Sequence, residues 1–165
     1  MHHGAVSVTS AGPGKGSTFT VHLPLLQVDA PSPHRPEVEL VQASGTRHRI
    51  LVVDDNEDAA LSLALLLEHY GHDVDIAHDG EQGVEKARSG EPDIVFLDLG
   101  MPRMNGIEAA KRLRSLPSGD DMLIVALTGW GQEKDQQRTR DAGFDRHLLK
   151  PVDPNALSKV LAERT

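Results

Sequence analysis

Residues 48–56 read HRILVVDDN, a short apolar run that ends in two adjacent carboxylates. The same arrangement recurs along the chain, each time with a side chain that can bind phosphate or metal directly after the apolar run. These side chains are Asp54 with Asp55, Asp98, Thr128, and Lys150 before Pro151. If the runs are neighbouring parallel strands, their carboxyl ends lie along one edge of a sheet, which is where open α/β sheets bind their ligands.

The segments between these runs alternate between strand-like and helix-like patterns, which is typical of βα units around a parallel sheet. Five strands and five helices fit the region 48–165. The first helix is predicted over 57–70 with Asn56 as its N-cap, and the last helix has Asp153 as its cap. The helix predicted over 132–142 is polar nearly all round, so we expect it to be the least stable element of the domain.

The composition restricts the class of protein. A net charge of -8 argues against a nucleic-acid surface, which needs clustered Lys and Arg. No apolar stretch approaches the roughly 20 residues that span a bilayer, and the start of the chain lacks the apolar centre of a signal peptide. Cysteine is absent, which excludes disulfides and thiolate metal sites. We therefore expect no nucleic-acid partner and no direct membrane contact. The composition suits a cytoplasmic protein, and we expect a monomer or weak dimer.

Three acidic residues define a predicted metal site. Like charges about 4 Å apart repel by roughly 4 kcal/mol at an effective dielectric near 20, so neighbouring carboxylates at strand ends need a cation between them. Mg²⁺ is the natural choice, because it takes oxygen ligands and is usually held by one or two carboxylates with substrate phosphate. We assign Asp55 and Asp98 as direct ligands, Asp54 as a direct or water-mediated ligand, and the backbone carbonyl of Gly100 as a further ligand.

A carboxylate beside a metal can also attack phosphorus, which would leave an aspartyl phosphate, and Asp98 is best placed to do so. The Lys150 ammonium, the Thr128 hydroxyl and Mg²⁺ would then neutralise and orient the phosphoryl oxygens. Taken singly, such residues are more often a helix cap, a structural threonine and a solvated lysine. Their conjunction, in this order at successive strand ends, favours a functional interpretation.

The same residues resemble the receiver domain of two-component response regulators. The resemblance covers 48–165, and the motifs that carry it are VVDDN at 52–56, FLDLGMP at 96–102, Asn105-Gly106, ALTG at 126–129 and LKP at 149–151. It implies a flavodoxin-like (βα)5 doubly wound parallel sheet of strand order 2-1-3-4-5. It also implies a phosphorelay receiver, in which Asp98 accepts a phosphoryl group in a Mg²⁺-dependent reaction from the phosphohistidine of a histidine kinase or a histidine phosphotransfer protein.

The resemblance also implies a conformational switch. In this family a threonine and an aromatic residue three positions before the lysine rearrange on phosphorylation. Thr128 matches the threonine, but His147 stands at the aromatic position, which departs from the pattern. The surface that responds would be made by the Trp130 loop, the fourth helix, the fifth strand and the last helix of the domain. A histidine in this switch would make it sensitive to pH.

Residues 1–26 carry a second, shorter resemblance. AVSV at 5–8 and GPGKGSTFTVHLPL at 12–25 resemble the last glycine box and closing strands of a histidine-kinase ATP-binding domain. A P-loop is excluded because Gly16 follows Lys15 where Ser or Thr is needed, and a glycine-rich linker is the alternative. The resemblance implies a hybrid histidine kinase cut within its catalytic domain, with 27–47 as a Pro-rich linker. About 20 residues cannot bury a core, so we expect 1–26 to be disordered and inactive towards ATP.

Two other functions fit the sequence less well. An aspartyl-phosphate phosphatase of the haloacid dehalogenase type wants Asp-x-Asp at the first strand end, whereas Asp54 and Asp55 are adjacent. A receiver-like interaction module without phosphorylation would usually have lost an acid or the lysine, and all are present. Only Arg164 and Thr165 follow the last predicted helix. We therefore expect a receiver that catalyses its own phosphorylation and dephosphorylation and signals by docking.

Overall fold

The computed structural model describes residues 5–23, 46–129 and 136–164. The chain divides into two units. In the first unit, β1 (Ala5–Ser10) and β2 (Ser17–His22) pair antiparallel. This hairpin corrects the expectation of disorder. Val and Phe alternate with Ser and Thr along both strands, and glycines with positive φ form the turn between them. Every residue of the two strands is exposed, and the identity of 1–26 as a kinase remnant stays a prediction.

The second unit contains a parallel sheet of five strands. These are β3 (Arg49–Val53), β4 (Asp73–Ala77), β5 (Ile94–Asp98), β6 (Leu123–Thr128) and β7 (Arg146–Leu149). They are arranged in the order β4-β3-β5-β6-β7, and every neighbouring pair is parallel. Counted from β3 as the first strand, this is the order 2-1-3-4-5, so the flavodoxin-like α/β fold is confirmed.

Helices connect these strands. They are α1 (Glu57–His69), α2 (Gly80–Gly90), α3 (Gly106–Arg114), α4 (Gln136–Asp141) and α5 (Pro154–Ala162), with a 3₁₀ turn at Gly119–Asp121. The side chains of Asn56, Asp79, Asn105 and Asp153 each accept a backbone N–H at the start of a helix, and this confirms the two predicted caps, Asn56 and Asp153. No helix among the described residues is long and apolar enough to cross a membrane.

The apolar core lies on both faces of the sheet. Leu51 and Val53 of β3 point to one face, where they pack with α2 and α3, while Ile50 and Val52 point to the other, with α1 and α5. All five residues of β5 are buried. Burial on both faces is expected for the central strands of a parallel sheet, and each large apolar side chain contributes about 1.5–3 kcal/mol. The core therefore fixes the carboxyl ends of β3 and β5, where the predicted site lies.

The polar helix predicted over 132–142 is described only in part, as α4. Residues 130–135, with the Trp130 loop, lie outside the described residues, as does most of the predicted linker. Among the α4 side chains that the structure describes, Thr139 is the buried one, at 1% exposure. The low stability of this helix relative to the other helices stays a prediction.

Candidate functional site

Three carboxylates meet at the carboxyl edge of the sheet. Asp54 follows β3 and Asp98 ends β5, the neighbouring strand, in a register that pairs Val53 with Leu97. Ligand atoms of Asp54, Asp55 and Asp98 all lie within 4.8 Å of one another. Asp54 and Asp98 are buried, whereas Asp55 is exposed. The structure thus brings together the three acids that the sequence places at strand ends.

Lys150 supplies a positive charge to this cluster. Its ammonium donates to Oδ2 of Asp54 at 2.6 Å and lies 2.9 Å from Oδ1 of Asp98. Burial lowers the pKa of Lys150, but the hydrogen bonds to Asp54 and Asp98 outweigh it and raise the pKa above its ordinary value. The Lys150 backbone N–H donates to the carbonyl of Thr128 at 2.8 Å, which ties the end of β7 to that of β6. Lys150 is therefore an ammonium at neutral pH, held between two acids.

The β5–α3 loop, residues 99–105, passes over Asp98. The backbone N–H of Gly100 donates to Oδ2 of Asp98 at 3.1 Å. Behind the strand end, a Cβ on Gly106 would lie 2.3 Å from the Asp98 carbonyl oxygen, so α3 begins in direct contact with the backbone of β5. This contact gives a physical reason for the Asn105-Gly106 step: asparagine caps the helix and glycine allows the close approach.

The two predicted switch residues lie in different surroundings. Thr128 is 5% exposed, and its hydroxyl donates a long bond of 3.4 Å to the carbonyl of Leu148. This bond is longer than an ordinary O–H···O hydrogen bond, so the Thr128 hydroxyl is held only weakly. His147 pairs with Ala126 in the sheet and lies under α4, where its Nε2 is 2.5 Å from Oγ1 of Thr139. The contacts of His147 therefore lead to α4.

His147 is shifted towards its neutral form. Burial lowers its pKa, and the positive charge of Arg140 lowers it further. The ring of Phe144 lies 6.4 Å from the ring of His147, between centroids. A neutral imidazole can accept the hydrogen of the Thr139 hydroxyl.

The donor set suits a hard divalent cation. Three carboxylates offer oxygen ligands within 4.8 Å of one another, and the exposed Asp55 leaves one side open to solvent. Among the described residues, the Lys150 ammonium faces these three negative charges, so a further cation would reduce the remaining repulsion. Mg²⁺ takes such oxygen ligands and keeps several waters. The residues that the sequence assigns to the metal therefore fit it.

Two residues near the site were missed by the sequence reasoning. Thr139 contacts His147 although it belongs to a helix read as polar all round. Arg103 forms an ion pair with Asp79, the N-cap of α2. Neither contact follows from a local pattern, because each joins residues from separate elements.

Comparison with known proteins identifies a family and a relative that this chain resembles. Residues 50–162 match the family model for the response regulator receiver domain. Response regulator MprA of Mycobacterium ulcerans is 41% identical over 114 residues, which cover 69% of this chain and 47% of that protein. The chain thus spans about half the length of this curated relative.

The solved structures that are similar to this chain include two receiver domains from signalling proteins. One is a co-crystal structure of the histidine phosphotransfer protein Ypd1 with the receiver domain of Ssk1 from Saccharomyces cerevisiae. It has a TM-score of 0.65 at 29% identity and covers 71% of this chain and 88% of that chain. The other is the receiver domain of the sensor histidine kinase PA1611 from Pseudomonas aeruginosa, with magnesium coordinated in its active-site cleft. It has a TM-score of 0.65 at 27% identity and covers 72% of this chain and 97% of that chain.

Proposed function

This chain belongs to the family of response regulator receiver domains, and from that premise we propose that Asp98 is the side chain that accepts its phosphoryl group. The observation that carries the proposal is the position of Asp98. It ends the central strand β5, with Asp54 and Asp55 within 4.8 Å and the Lys150 ammonium 2.9 Å away. An acid that only capped a helix would not need this set of neighbours.

The reaction follows from these neighbours. A carboxylate oxygen of Asp98 attacks the phosphorus of a phosphohistidine, an O–P bond forms, the N–P bond breaks, and the imidazole nitrogen keeps the electron pair. The Lys150 ammonium and the Thr128 hydroxyl donate to the phosphoryl oxygens. Asp54, Asp55, Asp98 and the Gly100 carbonyl would hold Mg²⁺, which when bound offsets the charge of the carboxylates and the phosphoryl group.

A route from the site to the surface runs through β6 and β7. A phosphoryl group on Asp98 would draw the Thr128 hydroxyl away from its long bond to the Leu148 carbonyl. Leu148 follows His147, which contacts Thr139 of α4. We infer that phosphorylation changes the surface formed by α4, β7 and α5. The change is limited to the difference in contact energy between the two states.

The partner that delivers the phosphoryl group would dock beside α1. Leu61 and Leu65 are 51% and 55% exposed. They are four residues apart in α1, so they form one stripe on a helix that begins directly after the acid cluster. A helix of a histidine kinase or histidine phosphotransfer protein would cover this stripe and bring its phosphohistidine to Asp98. The Ssk1 receiver, a structural neighbour, is known in complex with such a phosphotransfer protein.

The wider context is also a proposal. One structural neighbour is the receiver domain of a sensor histidine kinase. We infer that this receiver likewise belongs to a hybrid histidine kinase, acts in the cytoplasm, and follows a remnant of the ATP-binding domain at 1–26.

The assignment of Asp98 is tested with a small phosphodonor. Incubation with acetyl phosphate and Mg²⁺, followed by mass spectrometry of the intact chain and its peptides, should find one acid-labile phosphoryl group at Asp98. Asp98→Asn should abolish it, whereas Asp58→Asn, an exposed acid in the first turn of α1, should retain it. A label that persists in Asp98→Asn would refute the assignment.

The docking surface needs a separate test. Leu61→Ser with Leu65→Ser should slow phosphoryl transfer from a purified histidine phosphotransfer protein by about tenfold, since both substitutions remove apolar area that the complex would bury. Labelling by acetyl phosphate should be unchanged, because neither leucine lies in the acid cluster. Equal slowing with both donors would mean that the leucines act on the site and not on docking.

A further inference from the structure

Arg103 holds an unusual position in the β5–α3 loop. Its backbone has a φ of 65°, in the left-handed region that few residues other than glycine adopt. Such a conformation persists where the surroundings hold it in place. The guanidinium of Arg103 donates from Nη2 to Oδ2 of Asp79 at 2.7 Å. The Asp79 side chain is 11% exposed and that of Arg103 is 72% exposed, so the pair has one largely buried end.

Asp79 is a fixed anchor for this ion pair. It is the N-cap of α2, and its Oδ1 accepts the backbone N–H of Gln82 at 2.8 Å while its Oδ2 accepts from the Gln82 side chain at 2.9 Å. The Gln82 backbone N–H and then the charge of Arg103 keep the pKa of Asp79 below its ordinary value. Asp79 is therefore a carboxylate at neutral pH, and its position is set by α2.

The loop is in close contact with α2 next to this pair. A Cβ on Gly80 would lie 2.9 Å from both the carbonyl oxygen and Cγ of Met104, and Met104 is 3% exposed. At its other end, the same loop places the Gly100 N–H 3.1 Å from Oδ2 of Asp98. The position of the loop at 103–104 therefore influences where Gly100 sits relative to Asp98.

We propose that Arg103 is a positioning residue for the metal site. Its ion pair with Asp79 holds the loop so that the Gly100 carbonyl and the Asp98 carboxylate are arranged for Mg²⁺ before the ion binds. The inference rests on the proposed function, since it takes Gly100 and Asp98 as ligands. Loss of Arg103 should therefore change Mg²⁺ binding in the direction opposite to that expected from its charge alone. Removing a nearby positive charge should strengthen cation binding by electrostatics, whereas losing the positioning should weaken it.

The test is a calorimetric titration of Mg²⁺ into the full chain. Arg103→Gly removes the guanidinium and accepts a positive φ without strain, and Asp79→Asn removes the charge but keeps a capping oxygen. Each should raise the Kd for Mg²⁺ by about threefold to tenfold. This increase is smaller than the one expected from mutating a buried partner of a metal ligand, because Arg103 is mostly exposed. Arg103→Lys should lie between wild type and Arg103→Gly.

The double variant and a matched control complete the test. Arg103→Gly with Asp79→Asn should bind Mg²⁺ no more weakly than either single variant, because both remove the same ion pair. Arg112→Ala removes a guanidinium from the exposed face of α3, where it pairs with Glu108, and should leave the Kd unchanged. An unchanged or lower Kd in Arg103→Gly, or additive effects in the double variant, would overturn the proposal.

The rate of Asp98 phosphorylation distinguishes the role of Arg103 from the proposed function of the domain. With acetyl phosphate, Arg103→Gly should need more Mg²⁺ for half-maximal labelling of Asp98 but should reach the wild-type rate at saturating Mg²⁺. A lower rate at saturation would show that Arg103 acts on the reacting groups and would contradict a positioning role. If wild type takes no phosphoryl group, the proposed function fails, while the Mg²⁺ titration still decides the role of Arg103.

Discussion

Lys150 Nζ lies 2.6 Å from Oδ2 of Asp54, across a sequence separation of 96 residues. The Asp54 side chain is 2% exposed and that of Lys150 is 29% exposed, so the carboxylate is buried against a partly solvated ammonium. The same ammonium lies 2.9 Å from Asp98. One side chain at the end of β7 therefore offsets negative charge at the ends of two central strands.

Replacing Lys150 by Met should destabilise the fold when Mg²⁺ is absent. The substitution leaves the buried Asp54 without its ammonium, which costs about 2 kcal/mol, less than for a fully buried pair because Lys150 is partly exposed. Excess Mg²⁺ should restore part of this loss. Urea unfolding with EDTA and with Mg²⁺ measures both, and Lys159→Met, on the exposed side of α5, is the control. An equal loss of stability with and without Mg²⁺ would contradict the idea that the two cations offset the same charges.

Removing Asp55 should have the opposite effect on stability. Asp55 is exposed and adds a third negative charge to the cluster. Asp55→Asn should raise the free energy of unfolding in EDTA by about 0.5 kcal/mol, since the repulsion is screened by solvent. The same variant should lose most of the stabilisation that Mg²⁺ gives to wild type. Asp58→Asn is the matched control, because Asp58 also lies near the start of α1 but outside the cluster. A variant that gains no stability in EDTA, or keeps the full effect of Mg²⁺, would count against the site.

Much of the fold could be predicted because its determinants are local. Apolar runs such as Ile50 to Val53 identify strands, and caps such as Asn56 identify helix starts. The polar residues after the runs identify the site edge, because parallel strands place their carboxyl ends together. Contacts between distant elements carry no such signal.

Two features of the structure show the limits of local patterns. The ion pair between Arg103 and Asp79 and the bond between Thr139 and His147 depend on how a loop or helix docks on its neighbour. The hairpin at 5–22 shows another limit. The lack of a core predicts disorder for residues 1–26. The strands nevertheless pair across a glycine turn, and the hydrogen bonds between them do not depend on a core.

Gly106 should be among the glycines least tolerant of alanine. A Cβ there would lie 2.3 Å from the Asp98 carbonyl oxygen, so β5 or α3 must move. We expect Gly106→Ala to cost about 2–3 kcal/mol, as overpacking does, and to weaken Mg²⁺ binding through the displaced Asp98. Gly90→Ala, at the end of α2 with nothing within 4 Å of its Cβ, should be neutral or stabilise by about 0.5 kcal/mol. Thermal unfolding of both variants checks this, and equal effects would contradict the close approach.

Arg114 should be a strong determinant of stability. Its side chain is 20% exposed and links the end of α3 to the segments before β6 and β7. Its hydrogen bonds reach the carbonyls of Gly119, Met122 and Gly143 and the carboxylate of Asp145. Arg114→Ala removes this donor from the three carbonyls, while the Asp145 carboxylate keeps its bond from the backbone N–H of Ile124, and the substitution should cost about 3 kcal/mol. Arg112→Ala, which breaks only an exposed pair with Glu108, should cost less than about 0.5 kcal/mol. Urea unfolding that ranks the two variants equally would refute the role of Arg114.

The protonation of His147 should couple pH to the stability of the domain. Burial, and then Arg140, lower its pKa, so the folded state favours the neutral ring that faces Thr139 of α4 and Phe144. Its contribution is fully present above the unfolded pKa of about 6.5 and is lost as the pH falls below it. Between pH 7.5 and 5.5, wild type should lose about 0.5 kcal/mol more stability than His147→Phe, a small difference because the ring is partly solvated. His72, whose pKa burial also lowers, titrates in both proteins, so the difference between their urea unfolding curves isolates His147. Identical losses in the two proteins would show that His147 does not make the fold sensitive to pH.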